Sequence, residues 1–324
     1  MRADAPNFAT EVALVSPASI ADAGALIRDG KLVAFPTETV YGLGANALDD
    51  FAVSAIFAAK ERPRFNPLIV HVLDRTEAVE IVTFNAIARA LADAFWPGGL
   101  TLVLPRREPS PLALLVSAGL DTAAVRSPSH DVARALLDAS GVPIAAPSAN
   151  RSSRISPTTA GDVAEELGGR VSLILDGGPC PIGLESTVIG FENERPVLLR
   201  PGAVARDEIE RVAGPLGRPS GEAIQSPGQL ASHYAPRAAL RLNARDVLPG
   251  EALLAFGPEV PQGATYMRNL SDTGNLREAA VNLFAMLRAL DRSGAKAIAV
   301  MPIPNEGLGE AINDRLERGA APRE

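Results

Sequence analysis

The sequence predicts an α/β protein: a twisted mixed sheet with helices on its faces, joined to a smaller α/β unit. Three features of the chain carry this. Short apolar runs alternate with longer amphipathic stretches from Ser16 to Leu175, the pattern of strands covered by helices. Two apolar runs, Ser186–Phe191 and Pro196–Leu199, then follow one another with no helix between them, so part of the sheet is antiparallel. Between Gly214 and Pro236 the composition turns to Gly, Pro and Ser, and helical and strand patterns resume beyond it. A chain of 324 residues has room for two domains. The expected division is 1–213, a connecting segment at 214–237, and 238–324.

Each element has a local reason. Ser16-Pro17 reads as an N-cap followed by a first-turn proline, and the helix should run to about Asp29 with Gly30 behind it. Lys31–Phe35 is a buried strand that Pro36 ends, because proline has no N–H for a ladder. Phe51–Lys60 is apolar on most sides through Phe51, Val53, Ile56 and Phe57, so it reads as a buried helix delivering Lys60, Glu61 and Arg62 at its end. Pro67–Val72, Leu100–Leu104, Thr122–Arg126, Pro143–Ala146 and Val171–Leu175 are strands; Ile87–Phe95, a stretch capped by Ser129 and running to Ser140, and Ala160–Leu167 are helices. A short helix lies near Asp207–Val212. In the last part Ala239–Leu242, Ala252–Phe256 and Ala297–Met301 are strands, and Leu276, Ala280, Leu283, Phe284, Leu287 and Leu290 form a helical stripe that belongs to a core.

The bulk numbers exclude several functions. Hydrophobic residues at 47% supply a packed core, and with aromatics at 4% that core must be mostly Ala, Val, Leu and Ile. The net charge of −7 argues against a protein whose main task is gripping a nucleic-acid backbone, so no stable nucleic-acid binding is expected. Cys180 is the one cysteine, which rules out an intrachain disulfide and a cysteine zinc cluster. It reads as an inert packed residue in a reducing cytoplasm. Residues 1–10 lack a secretory pattern, and no apolar run reaches the roughly 20 residues of a membrane helix, so a soluble protein is expected. There is no G-x-x-x-x-G-K-[ST], no H-E-x-x-H and no G-x-S-x-G. The three histidines, His71, His130 and His233, are too scattered for a metal cluster, and His130 reads as an exposed helix start. Gly42–Ala47 fits the loose G-x-G-x-x-A fingerprint, but Pro36 and several residues separate it from its strand, which a dinucleotide loop does not allow.

What remains is polar residues at strand exits. The chain centres on Val33–Gly44, V-A-F-P-T-E-T-V-Y-G-L-G, which sets two hydroxyls and a carboxylate just past a buried strand and follows them with Gly42 and Gly44, suited to a tight turn or a close ligand. Thr37 and Thr39 are joined by Lys60, Arg62, Asn66, His71, Thr122, Arg126, Ser148, Asn150, Ser156, Ser186 and Arg200. Most Lys and Arg are solvated surface charges. These four cations are instead flanked by apolar strand residues or by Pro and Gly, and with hydroxyls and amides beside them they suit a polyanion such as a nucleoside triphosphate.

Five motifs carry a family resemblance. They are P-T-E-T-V-Y-G-L-G at Pro36–Gly44, K-E-R-P-R-F-N-P-L at Lys60–Leu68, P-S-A-N at Pro147–Asn150, L-R-P-G at Leu199–Gly202 and H-Y-A-P at His233–Pro236. In order and spacing the chain resembles the YrdC-like threonylcarbamoyl-AMP synthases, in the two-domain form that the last motif marks. The resemblance implies a YrdC-like sheet domain and a smaller Rossmann-like α/β C-terminal domain. It implies synthesis of L-threonylcarbamoyl-adenylate and pyrophosphate from L-threonine, bicarbonate and ATP, with a downstream transferase complex placing the group on tRNA. It puts Thr39, His71, Arg126, Ser186 and the backbone of Ala146 around threonine. Arg62, Asn66, Thr122, Ser148, Asn150, Ser156, Arg200 and Tyr234 fall around ATP, Tyr234 as part of a lid. Lys60 and Arg62 would stabilise phosphoryl oxygens, with Mg²⁺ arriving on the ATP and no side chain of the protein ligating it. Two departures from the family pattern bear on the lid: S-P-G-Q-L-A at Ser226–Ala231 in place of S-P-G-M-x-Y, and Ser153 where a glycine is usual. An RNA-binding module of this fold and a carbamoyl-transfer enzyme using carbamoyl phosphate are the competing readings.

Overall fold

The computed structural model describes residues 9–63, 65–221 and 233–322. In chain order its elements are β1 (Glu11–Leu14), α1 (Pro17–Arg28), β2 (Val33–Phe35), β3 (Gly42–Asn46), α2 (Asp50–Lys60), β4 (Ile69–His71), α3 (Arg75–Ala78), α4 (Ala86–Phe95), β5 (Leu100–Pro105), β6 (Thr122–Arg126), α5 (Asp131–Ser140), β7 (Ile144–Ala145), α6 (Ala160–Leu167), β8 (Leu173–Asp176), β9 (Thr187–Glu192), β10 (Arg195–Arg200) and α7 (Arg206–Ala213). The second part adds β11 (Ala239–Arg241), β12 (Glu251–Ala255), β13 (Met267–Asn269), α8 (Leu276–Asp291), β14 (Ala297–Val300) and α9 (Leu308–Ala320). The first ten strands form one mixed sheet in the order β1-β8-β2-β3-β7-β4-β6-β5-β9-β10. The last four form a parallel sheet ordered β11-β14-β12-β13. Of the connecting segment expected at 214–237, residues 222–232, including Ser226–Ala231, lie outside the described residues.

Local chemistry explains most boundaries. Ser16 accepts the Ser19 N–H at 3.1 Å and starts α1, and Asp49 caps α2 through the N–H groups of Phe51 and Ala52. The helix expected to start at Ser129 is capped one residue later: His130 Nδ1 accepts the Val132 N–H at 3.2 Å. Phe51, expected to be buried, is 89% exposed. It falls off the stripe of Val53, Ile56, Phe57 and Lys60, which recurs at helical spacing and faces inward. The two glycines expected at a turn sit in β3, paired antiparallel to β2 with Phe35 opposite Gly42 and Val33 opposite Gly44. A Cβ on Gly44 would lie 2.8 Å from the Phe35 ring and 2.9 Å from the Ile144 side chain, so Gly44 serves sheet packing rather than a ligand. The edge strand β1, the short β13 and the charge-rich α9 were not anticipated, since none carries a clear apolar period.

Helices cover both faces of the large sheet. Ala23 and Ile27 of α1 and Leu136 and Leu137 of α5 pack on Val33, Phe35 and Ile144. On the other face α2, α4 and α6 bury Val53, Ile56, Leu91 and Val163 against Leu43, Val70 and Leu102. Each of these Val, Leu, Ile and Phe side chains stabilises by roughly 1.5–3 kcal/mol when fully buried. A third cluster joins the two parts of the chain: Val40, Ile155 and Leu184, all on loops of the first, pack with Leu283, Phe284 and Leu287 of α8 and Ile312 and Leu316 of α9. Arg288 of α8 adds ion pairs to Asp162 at 3.3 Å and Glu166 at 3.1 Å. The later part of the chain is thereby packed against loops that flank the cleft. Among the described residues, no helix is long and apolar enough to cross a membrane.

Candidate active site

The sheet register builds the cleft. β4 and β6 run parallel with His71 opposite Arg126 at their carboxyl ends, the placement expected for ligand-facing side chains in an α/β sheet. The chain leaving β7 crosses beside them, with the Ala146 N–H on the Ile69 carbonyl at 2.8 Å and Ser148 bridged to Gly42. Thr37, Thr39, Arg62, His71, Arg126, Ala146, Ser148, Ser186, Arg200 and Tyr234, ten of the fifteen residues singled out from the sequence, line this one cleft. They come from segments spread over nearly 200 residues of chain.

One end of the cleft is organised around Arg126. Its Nη2 pairs with Glu38 Oε1 at 2.6 Å, its Nη1 donates to Thr39 Oγ1 at 2.9 Å, and its Nε donates to the Gly98 carbonyl at 3.0 Å. Thr39 Oγ1 in turn lies 2.8 Å from Thr37 Oγ1, which donates to the Val40 carbonyl. The guanidinium is thus fixed in orientation and keeps N–H capacity for one carboxylate, the geometry in which Arg is most selective. Burial is the largest single influence and opposes ionisation of Glu38, but the Arg126 charge together with the hydrogen bonds to the carboxylate outweighs it and holds the carboxyl below its usual range. His71 is edge-on to Phe35, and burial, with Arg126 beside it, pushes its pKa down to about 3, so the imidazole is neutral at pH 7.

The other end is cationic. Arg62 donates through Nε to the Asn66 carbonyl at 3.2 Å and through Nη2 to the Pro67 carbonyl at 2.8 Å. Arg200 holds the Ser186 carbonyl at 2.8 Å and its hydroxyl at 3.2 Å, and that hydroxyl lies 2.7 Å from Thr101 Oγ1. Burial depresses the pKa of both guanidiniums. The Asn66 side-chain amide is buried, and among the described residues neither its oxygen nor its nitrogen has a hydrogen-bond partner. A buried amide of that kind is costly unless something else satisfies it.

Five of the expected residues stand behind the lining. Lys60, 1% exposed, donates its ammonium to the Ser148 carbonyl at 2.5 Å and to the Asn150 carbonyl. It therefore holds the P-S-A-N loop from behind the cleft lining. Burial, then the neighbouring Arg62, lowers its pKa well below that of an ordinary lysine. Asn150 ties the same loop to the Arg151 and Arg154 carbonyls. Ser156 donates to Glu185 Oε1 at 2.5 Å. Asn66 supports Arg62 as described. Thr122 starts β6, four residues before Arg126, and pairs with Pro105 of β5.

Several residues were missed. Glu38 sits inside the stretch that was singled out, and Glu185 and His233 each directly precede a residue that was chosen, so neighbourhood was a usable signal for all three. Arg315 carried none: it is one charge among several in Asp314–Arg318. Among the described residues there is no group of three or more His, Cys, Asp or Glu placed to hold a metal ion. The carboxylates nearest the cleft, Glu38 and Glu185, are each committed to an arginine, so the side chains do not fit a resident metal. Cys180 is buried, and burial pushes its thiol up to about 12, in keeping with an unreactive packed residue.

Comparison with known proteins matches this architecture along nearly the whole chain. A family model described as "Telomere recombination" matches residues 25–202, and one described as "Threonylcarbamoyl-AMP synthase, C-terminal domain" matches residues 204–321. A Bacillus subtilis threonylcarbamoyl-AMP synthase is 42% identical over 94% of this chain and 93% of its own. One from Pyrococcus abyssi is 44% identical over 93% of this chain and 94% of its own. The crystal structure of P. abyssi Sua5 complexed with L-threonine superposes with a TM-score of 0.87 at 40% identity, covering 96% of this chain and 97% of that one. The chain belongs to the threonylcarbamoyl-AMP synthase family.

Proposed function

We propose that this protein makes threonylcarbamoyl-AMP and pyrophosphate from L-threonine, bicarbonate and ATP. The observation that carries the reading is a single cleft with two kinds of anion site side by side: the oriented Arg126 fork between Glu38 and Thr39, and the Arg62 and Arg200 guanidiniums opposite. The first suits one carboxylate, the second a polyphosphate. Threonine's carboxylate lies on Arg126 and Thr39, with His71, Ser186 and the Ala146 backbone around the rest of the amino acid. Arg62, Asn66, Thr122, Ser148, Asn150, Ser156, Arg200 and Tyr234 serve the nucleotide, directly or by holding those that do. Bicarbonate takes up a proton and loses water to give carbon dioxide, and threonine's amine adds to it and loses a proton to give a carbamate. A carbamate oxygen then attacks the α-phosphorus as the bond to the β-phosphate oxygen breaks, and pyrophosphate leaves. No side-chain nucleophile is needed; positioning and charge stabilisation by Arg62 and Arg200 supply the catalysis. Lys60 acts by holding the Ser148 loop. A divalent ion such as Mg²⁺ enters as part of the nucleotide substrate. The product passes to a transferase complex that modifies tRNA, in the cytoplasm.

The test is pyrophosphate release from ATP, with and without L-threonine and bicarbonate, with serine as control. Release that requires both, with AMP accumulating as the product decays, is the expected result. ATP left intact under every condition would end the synthase reading, and steeply salt-dependent RNA binding would then favour a binding module.

A further inference from the structure

Thr101 lies in the middle of β5 and is fully buried. Alternate residues of a strand face the same way, so it shares a face with Val103. On that face Val103 packs with Ile69, Ala124, Val188 and Leu199 in an apolar cluster. A valine would fill position 101 as well as it fills position 103, and a hydroxyl buried among such neighbours is costly unless it is hydrogen-bonded. Among the described residues its hydrogen-bond partner is the Ser186 hydroxyl, 2.7 Å away. Ser186 immediately precedes β9, which pairs parallel to β5 with Leu100 opposite Thr187 and Thr101 opposite Val188.

The direction of that bond follows from counting donors and acceptors. A hydroxyl has one proton to give and two lone pairs. If Ser186 donated to Thr101, the Thr101 proton would be buried with no acceptor, which carries a penalty. Thr101 therefore donates and Ser186 accepts. Arg200 Nη2, which can only donate, reaches the same Ser186 oxygen at 3.2 Å. Both lone pairs of Ser186 are then taken and its own proton is left over. Ser186 lines the cleft beside Arg200, so that proton is offered to the molecule bound there.

We propose, resting on the synthase reading above, that Thr101 is a positioning residue: with Arg200 it makes Ser186 a group that can only donate, so that Ser186 serves the carbamate and not threonine as it arrives. Threonine's ammonium has three donors and no acceptor, and a Ser186 hydroxyl with both lone pairs taken gives it nothing. The carbamate formed on the same nitrogen brings oxygens that accept, and the Ser186 proton is already placed for one of them. A hydrogen bond withheld from the bound substrate and given to what it becomes favours turnover rather than substrate binding. Without the Thr101 hydroxyl, Ser186 regains a lone pair and can accept from the ammonium, and that discrimination is lost.

The experiment compares the parent with Thr101→Val, which keeps the shape and loses the hydroxyl, and with Thr101→Ser, which keeps the hydroxyl. Thr101→Cys, a far weaker donor, takes the place of the valine variant should that one fail to fold. Calorimetry on the full chain reads the dissociation constants of L-threonine and of N-carbamoyl-L-threonine, a stable mimic whose added carbonyl oxygen accepts a hydrogen bond as the carbamate does. Thr101→Val should weaken the mimic about three- to tenfold, the worth of one neutral hydrogen bond, and leave L-threonine bound as tightly as before or more so. It should lower kcat with no rise in the KM for threonine, and Thr101→Ser should match the parent in every reading. Equal weakening of both ligands overturns the proposal, because Thr101 would then only support the wall of the cleft. A mimic that the parent does not bind, or whose affinity no substitution alters, overturns it too; in each of these cases a parent that binds L-threonine keeps the synthase reading. A parent that binds neither ligand overturns that reading and the proposal with it.

Discussion

Acidification from pH 7 to pH 5 should destabilise this protein chiefly through two histidines of the cleft. His71 and His233 are buried, and burial, reinforced by neighbouring arginines, lowers each pKa from 6.5 to about 3. In the unfolded chain both protonate as the pH falls through 6.5; in the folded chain neither does until about pH 3. Between those values the unfolded state binds more protons, so stability rises with pH and is lost on acidification. At pH 5 each histidine lies about 1.5 units below its unfolded pKa, which at 1.36 kcal/mol per unit is about 2 kcal/mol each and about 4 kcal/mol together. Glu38 and Glu185 have folded pKa values below 4.5. Their contributions are fully present above pH 4.5 and fade only as the pH falls through the folded values, so they leave this window clear. His130, half-buried and also shifted down, adds in the same direction. The assay is urea unfolding at pH 7 and pH 5 of the parent, His71→Asn and His233→Asn, with the denaturant slope checked for constancy. Each substitution should remove about 2 kcal/mol of the pH-dependent loss. The same loss in the variants as in the parent would refute the buried neutral imidazoles.

Four substitutions test other parts of the site. Lys60→Met leaves the Ser148 and Asn150 carbonyls without their donor; it should cost about 1–3 kcal/mol in urea unfolding and lower turnover through displacement of Ser148. Arg126→Met, made with Glu38→Gln so that no carboxylate is stranded, should weaken L-threonine binding in calorimetry by about 1.5–3 kcal/mol, the value of a hydrogen bond to a charged group. Unaltered affinity would remove Arg126 from the threonine site. Gly202→Ala places a Cβ 2.4 Å from the Glu185 carbonyl oxygen and 2.5 Å from the Ser186 carbonyl carbon; backbone there cannot yield, and a loss of at least about 1–3 kcal/mol should appear as a lowered melting temperature. Ser153 holds φ +64°, where the family pattern has glycine; Ser153→Gly should raise stability by up to about 1 kcal/mol, the relief of left-handed strain less the added chain entropy.

Much of the fold was legible because its signals are local. Ser16-Pro17 and Gly30 bound α1 through capping and a left-handed glycine, and Pro36 ends β2 for want of an N–H, whatever the rest of the chain does. The stripe from Ala280 to Leu290 is buried as its period requires. Burial of Phe51 was misjudged because an apolar residue says nothing of which side of the helix meets the core. Gly44 was misread because a glycine required by a neighbouring ring looks the same in sequence as one required by a turn. Helix α9 was overlooked because its place rests on Arg315 meeting Glu185 and Gly319 lying against Tyr234, not on a repeating apolar pattern.

The site divides in the same way. Sequence alone determined which residues are chemically equipped: hydroxyls, amides and four cations held between apolar, Pro and Gly neighbours, at the ends of strands that an α/β sheet would gather. Only the tertiary structure decided what each one does there. It set Lys60 behind the cleft lining on two backbone carbonyls, gave Arg126 a buried carboxylate to fix its fork, and brought Arg315 from far along the chain to Glu185 and Tyr234. The reason is physical. Capping, proline geometry and helical period act between neighbours in sequence, whereas the direction of a side chain, the pairing of a buried charge and the pKa of an imidazole depend on atoms supplied by other elements. Those are settled only when the sheets and helices close on one another.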